Sequence, residues 1–323
     1  MTIRIDWRTA EKRAIRDGVS TGLAAIGSDK RVVVLSGDLA ESTRINGFEE
    51  AYPDRFFEMG VAEQNMMGVA AGLASEGFVP YVSSYAVFSP GRNWEQVRVS
   101  VAISKLNVKI LGGHGGLATG QNGPTHQAGE DVAIMRALPK MVVLVPADAE
   151  QAKQAIIASY KYVGPVYIRL ARPQTPNFTK DLPFEIGKAE VYRPVDPQVG
   201  KVRVSIFAMG IMVYTALLVA QDLASEGIEC EVVNVSSVKP MDRQTIVMSA
   251  KKTGKVVTME DHQTAGGLGG AVAEVLSEEC PTRMEIIGIE DRFGGSGSFD
   301  ELYRDFGLDT DSVKARIRKF VLD

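Results

Sequence analysis

The chain has 323 residues, 45% hydrophobic and 24% charged, with a net charge of -4 and acids and bases interspersed. This is the balance of a globular protein with room for two domains of about 150 residues, without the basic stripe that nucleic acid binding requires. No apolar run approaches the roughly 18 residues needed to cross a bilayer. Cys230 and Cys280 form neither a CxxC pair nor a disulfide framework, and the amino terminus is too polar for a secretory signal, so a reducing, cytoplasmic setting is expected.

Short runs rich in valine and isoleucine alternate with longer amphipathic stretches, the pattern of mostly parallel sheets flanked by helices, so the fold class is α/β. In chain order the first half predicts a helix over 7–26, a strand over 31–37, a helix over 62–76 and a strand over 78–84. A helix over 92–104, a strand over 107–113, a helix over 128–137, a strand over 141–147, a helix over 148–162 and a strand over 165–171 follow. Residues 172–201 carry five prolines and no sustained periodicity, as a connector would. The expected division is therefore a domain over 1–180, a linker over 181–200 and a second domain over 201–323. The second half predicts strands over 202–210, 230–237, 255–261 and 284–291, with helices between them and a last helix over 310–320.

In open parallel sheets, ligands sit beyond the carboxyl ends of the strands. Three predicted strand ends carry polar or glycine-rich sequence: "SGDLAES" (36–42), "GGHGGLATGQNGPTHQ" (112–127) and "RLARP" (169–173). They are expected to share one rim. Glu63 opens the helix of "AEQNMMGVAAGLAS", and an acid in a first turn ordinarily complements the helix dipole. Glu63 also shares a face with Met67, Ala70, Ala71 and Ala74, the stripe that must be covered. A buried, unpaired carboxyl there would hold its proton and seek a basic partner.

His114 and His126 stand twelve residues apart in the glycine-rich loop, suited to proton traffic near neutrality or else surface loop residues. Their spacing fits no zinc pattern. Ser42, Arg92, Arg169 and Arg172 at strand ends could read phosphate oxygens or be solvated. Tyr85, Phe88 and Trp94 fit a core as well as a cofactor wall.

Taken together and in order, "GVAEQNM", "YAVFSPGRNWEQVR", "GPTHQAGEDVAIMRALP" and "RLARP" resemble the transketolase family, specifically the separately encoded carboxyl-terminal subunit of split transketolases. The resemblance runs over essentially the whole chain. It implies a pyrimidine-binding domain of the thiamine diphosphate fold followed by a transketolase C-terminal domain, with two-carbon ketol transfer between sugars as the activity. By the same resemblance Glu63 hydrogen-bonds a ring nitrogen of the aminopyrimidine and favours its imino tautomer. Tyr85 and Phe88 pack on that ring, and Asp38 lies near the thiazolium. His114 and His126 bind substrate oxygens and assist proton transfer, while Ser42, Arg92 and Arg172 hold a sugar phosphate. Asn122 stands where transketolases commonly carry an aspartate that reads a substrate hydroxyl, which puts sugar preference in doubt.

The family's magnesium-diphosphate signature is not matched, because "GDL" at 37–39 lacks the last glycine and Asn65 shares a helix with Glu63. Mg2+ is therefore expected on an amino-terminal partner subunit, in an assembly of two copies of each. A split deoxyxylulose phosphate synthase and the beta subunit of a 2-oxo-acid dehydrogenase remain alternatives within thiamine enzymes. Outside them, "GGLGGAV" (266–272) raises a nucleotide-binding oxidoreductase, although no GxGxxG is present, and a docking protein is a further alternative.

Overall fold

The computed structural model describes residues 7–180, 182–195 and 202–323. Seven strands form the first sheet, in the order Ser237–Lys239, Val142–Leu144, Val166–Arg169, Lys109–Gly113, Val79–Tyr85, Val32–Ser36 and Phe56–Glu58. All neighbours run parallel except the outermost pair, Ser237–Lys239 against Val142–Leu144. Every residue of Val32–Ser36, Val79–Tyr85 and Lys109–Gly113 is buried. That explains their near-continuous apolar sequence, since helices cover both faces of a parallel sheet and alternation is lost.

The second sheet has the order Arg283–Ile289, Lys255–Gln263, Val202–Ala208, Ile228–Asn234 and Glu190–Arg193. Only its last strand is antiparallel. The fold class is therefore α/β with two mostly parallel sheets. Both apolar clusters draw residues from both halves of the chain, so the core is continuous across them. A polar junction joins them as well: the Glu190 carboxylate accepts from Gln151 Nε2 at 3.3 Å, Asn234 Nδ2 at 2.8 Å and the Tyr192 hydroxyl at 3.3 Å.

The predicted elements differ from the observed ones where pairing is long-range. The stretch 7–26 is not one helix: Lys12–Ala14 is a strand pairing with Gln174–Pro176, and the helix is confined to Asp17–Ile26. The segment read as a connector supplies two strands, Gln174–Pro176 and Glu190–Arg193. Residues 196–201 of that segment lie outside the described residues, as do residues 1–6. Two short helices, Asn46–Ala51 and Phe299–Asp305, were not predicted, though the second carries a capping box between Ser298 and Glu301. Among the described residues, no helix is long and apolar enough to cross a membrane, and no group of three His, Cys, Asp or Glu is arranged to hold a metal ion.

Candidate active site

Four adjacent parallel strands end on one rim, and their exits carry Asp38 to Ser42, Tyr85 to Phe88, His114 to Gly116 and Leu170 to Arg172. Glu63 starts the helix Glu63–Ser75, whose apolar side buries Met66, Met67, Ala70 and Ala71, with Ala74 half-buried. Its carboxyl is 1% exposed. The expectation of an unpaired acid needs correction here: Oε2 accepts from Arg92 Nη1 at 2.6 Å, while Oε1 is buried with no partner among the described residues. Arg92 also lies over the Phe88 ring at 4.7 Å. Asn93, fully buried, fixes this corner by donating to the Glu63 carbonyl at 3.1 Å and to Ser89 Oγ at 3.1 Å.

Tyr85, Phe88, His114 and His126 lie close together. Tyr85 and Phe88 stack with centroids 5.9 Å apart, and Tyr85 meets His114 at 3.9 Å. His126 lies 5.3 Å from Phe88 and 6.0 Å from Tyr85. Arg16 Nη1 lies 3.3 Å from His114 Nε2. A guanidinium has no acceptor, so Nε2 must accept and the hydrogen of the neutral ring sits on Nδ1. Nδ1 is itself buried without a partner among the described residues. Burial, reinforced by Arg16 and Arg172, pushes His114 down to about 3, so near neutrality it is an imidazole that can donate from Nδ1 and carries no ionisable proton.

Next to these rings opens a pocket of about 300 Å³ lined by Arg16, Ser42, Arg44, Tyr85, Asn122 and Arg172, with His114 and Glu41 completing it. Arg172 Nη1 donates to the Thr119 carbonyl at 2.9 Å and to Asn122 Oδ1 at 3.3 Å. Arg16 Nη1 donates to the Ser42 carbonyl at 2.8 Å, and Arg44 pairs with Asp17 at 3.0 Å. Burial first, and then the neighbouring Arg44 and Arg172, lower the Arg16 pKa against the pull of Asp17.

Several expected residues fall elsewhere. Arg92 is engaged by Glu63 and does not line the anionic pocket. Arg169 is 4% exposed and held by Asp131 at 2.9 Å, so it cannot read a ligand. Asp38 is exposed at the rim, its N–H bonded to Glu58, and joins neither group. Sequence reasoning missed Arg16, Arg44 and Glu41. Arg16 was hidden inside the predicted helix 7–26, although "RDG" before an apolar run was an available helix-start signal. The "GGLGGAV" turn is closed to phosphate, because the buried Glu260 carboxylate already accepts from Leu268 N–H at 2.7 Å and Gly269 N–H at 2.8 Å. At Gly267 an added Cβ would lie 1.9 Å from Glu260 Oε2, so the glycine is required by that contact.

Comparison with known proteins places the chain in a family. Residues 4–177 match the transketolase pyrimidine-binding domain, and residues 194–313 match the transketolase C-terminal domain. The chain belongs to the transketolase family. It is 43% identical, over 94% of its length and 95% of the relative's, to a putative transketolase C-terminal section of Methanocaldococcus jannaschii. It is also 43% identical to a 6-deoxy-6-sulfo-D-fructose transketolase subunit of a Clostridium species, over 87% of this chain and 85% of that one. A solved structure described as a split gene transketolase, inactive beta4 tetramer, superposes with a TM-score of 0.85 at 44% identity, covering 97% of this chain and 99% of that one. The chain thus corresponds to the carboxyl-terminal subunit of a split transketolase.

Transketolases depend on thiamine diphosphate, and the residues present fit its aminopyrimidine. That ring needs a carboxyl for a ring nitrogen and a flat apolar support. Glu63 Oε1 is a buried acceptor lacking a partner, and Arg92 ties the same carboxyl to the Phe88 ring that stacks with Tyr85. Bound, the cofactor supplies the carbanion chemistry by which a bond next to a carbonyl is broken.

Proposed function

We propose that this chain is the carboxyl-terminal subunit of a thiamine diphosphate-dependent transketolase that moves a two-carbon ketol unit from an anionic ketose to an aldose. The observation that carries the reading is Glu63, a carboxyl 1% exposed with one oxygen bonded and the other left over, beside an aromatic shelf. Glu63 Oε1 is the atom offered to the pyrimidine nitrogen for a hydrogen bond. Tyr85 and Phe88 support the ring, and Arg92 serves as counter-ion until the ring arrives.

Arg16, Arg44 and Arg172 supply the anion site, with Ser42 and Asn122 at its wall. Each charge-assisted hydrogen bond to a phosphate or sulfonate oxygen contributes roughly 1.5 to 3 kcal/mol. A relative named for a sulfonated fructose supports an anionic tail without fixing which one. His114 donates from Nδ1 to a substrate oxygen. His126, half-buried and 2.8 Å from Thr125 Oγ1, is assigned by the family resemblance to the substrate oxygens. Asn122, which accepts from Arg172 here, helps orient that arginine.

Magnesium and the diphosphate are assigned to an amino-terminal partner subunit, in a complex with two copies of each chain. Asp38, exposed at the rim, is assigned to the neighbourhood of the thiazolium. The test mixes the chain with its partner, thiamine diphosphate and Mg2+, and supplies ketose phosphates and aldoses. Two-carbon transfer by the mixture and none by the chain alone is the expected result. Activity of the chain by itself would refute the partner requirement, and carbon dioxide release from pyruvate with glyceraldehyde phosphate would favour a deoxyxylulose phosphate synthase instead.

A further inference from the structure

Both ends of the loop that carries His114, Asn122 and His126 are gripped by the second domain. At the first grip, Asp261 Oδ1 accepts from Leu117 N–H at 2.8 Å and Oδ2 from Ala118 N–H at 3.1 Å. These are the first residues of the turn Leu117–Asn122, whose opening N–H groups no other residue of the turn can satisfy. Asp261 lies in the strand Lys255–Gln263 and is 1% exposed. Gly116 has φ +82, and a Cβ there would sit 2.3 Å from Asp261 Oδ2, so the loop can approach this carboxylate only as glycine. Arg169 braces the contact by donating to the Asp261 carbonyl at 2.7 Å and the Ala128 carbonyl at 3.1 Å.

At the second grip, Ser296 Oγ donates to the Gln121 carbonyl at 2.7 Å, and Gln127 Nε2 donates to the Gly295 carbonyl at 3.0 Å. Between the two grips, Thr119 links the turn to the site in both directions. Its hydroxyl donates to the His114 carbonyl at 2.5 Å, and its own carbonyl accepts from Arg172. A displaced turn therefore moves His114 and Arg172 together.

We propose that the second domain is the scaffold of the substrate loop and that Asp261 is its positioning residue, setting His114, Asn122 and Arg172 for the ketose without touching it. This rests on the transketolase reading of the loop. It assigns the second domain a part in substrate geometry.

Asp261→Asn is the decisive variant, because it keeps the size but turns one of two acceptors into an NH2 facing a backbone N–H. In the chain alone, amide hydrogen exchange at Leu117 and Ala118 should speed up by about tenfold or more. In the assembled enzyme, kcat/KM for the ketose should fall about 10- to 100-fold, as sub-ångström misplacement does. Thiamine diphosphate affinity and exchange of its thiazolium C2 proton for deuterium, which depend on Glu63, should stay within about twofold of wild type. Should Asp261→Asn not fold, Ser296→Ala loosens the other grip and should lower kcat/KM in the same selective way. Faster amide exchange with unchanged kcat/KM would overturn the proposal, as would a parallel loss of C2 exchange and ketose cleavage. If the wild-type assembly bound no thiamine diphosphate, the family reading would fail instead, and the exchange measurement on the chain alone would still report the Asp261 contact.

Discussion

Glu63 and Glu260 are both buried glutamates beside a helix start, Glu63 as the first residue of its own helix and Glu260 reaching from the strand Lys255–Gln263 to the helix Leu268–Glu279, and they are finished differently. Glu260, fully buried, has both oxygens taken by the N–H groups of Leu268 and Gly269. Glu63 has one oxygen taken by Arg92, a side chain still 47% exposed, and one without a partner among the described residues. A saturated buried carboxylate closes a helix end and shuts out ligands, whereas a half-saturated one leaves a hydrogen bond for a ligand to make and costs stability until it is made. On the function proposed above, the unmet hydrogen bond, more than burial, separates Glu63 from Glu260.

That contrast can be broken most directly at Glu63. In the assembled enzyme Glu63→Ala should lower turnover about a thousandfold, close to 4 kcal/mol in the barrier, while the melting temperature of the chain stays level or rises. Near-normal turnover would remove the distinction. Glu260→Ala should do the reverse, costing about 3 kcal/mol in denaturant unfolding by orphaning two N–H groups, with kcat of the folded enzyme within about twofold. Weaker but more specific, Arg172→Ala should raise KM for anionic ketoses about 10- to 50-fold and spare kcat, and an equal rise with uncharged sugars would argue against an anion site.

Glu190 sharpens the comparison with a third case, a carboxyl satisfied by the side chains of Gln151, Tyr192 and Asn234 where Glu260 uses backbone N–H groups. Burial pushes it up to about 8 from an ordinary 4.5, against the pull of Gln151, Tyr192 and Asn234. Between those values the folded chain holds a proton that the unfolded chain has lost. Its stability contribution is full below about pH 4.5 and is lost as pH rises towards 8, by at most about 1.4 kcal/mol per pH unit. Unfolding followed across that window should show the decline, and Glu190→Gln should remove only part of it, because burial pushes Glu260 up to about 8 as well.

How far the sequence could be read follows from the range of the interactions. Strands such as Val32–Ser36 and Lys109–Gly113 announce themselves locally, because burial on both faces leaves continuous apolar runs. Glu63 stood out for the same local reason, a charge on an apolar stripe. Arg16 did not, because its place beside His114 depends on Lys12–Ala14 pairing with Gln174–Pro176. Nor could Asp261, whose partners Leu117 and Ala118 lie in the other domain, or the Arg92 ion pair that occupies Glu63. Arg169 misled in the opposite sense, since its strand-end position gave no hint that Asp131 would bury it.

The outermost strand of the first sheet, Ser237–Lys239, comes from the second half of the chain and pairs antiparallel with Val142–Leu144, while Lys239 Nζ caps the Arg136 carbonyl at 2.8 Å. Truncating the protein after its first 180 residues would strip that border and bare a row of amides able to zip onto a neighbouring molecule. Fragments made by such a cut should precipitate, whereas a single nick in the intervening stretch should leave the two pieces clinging together through purification.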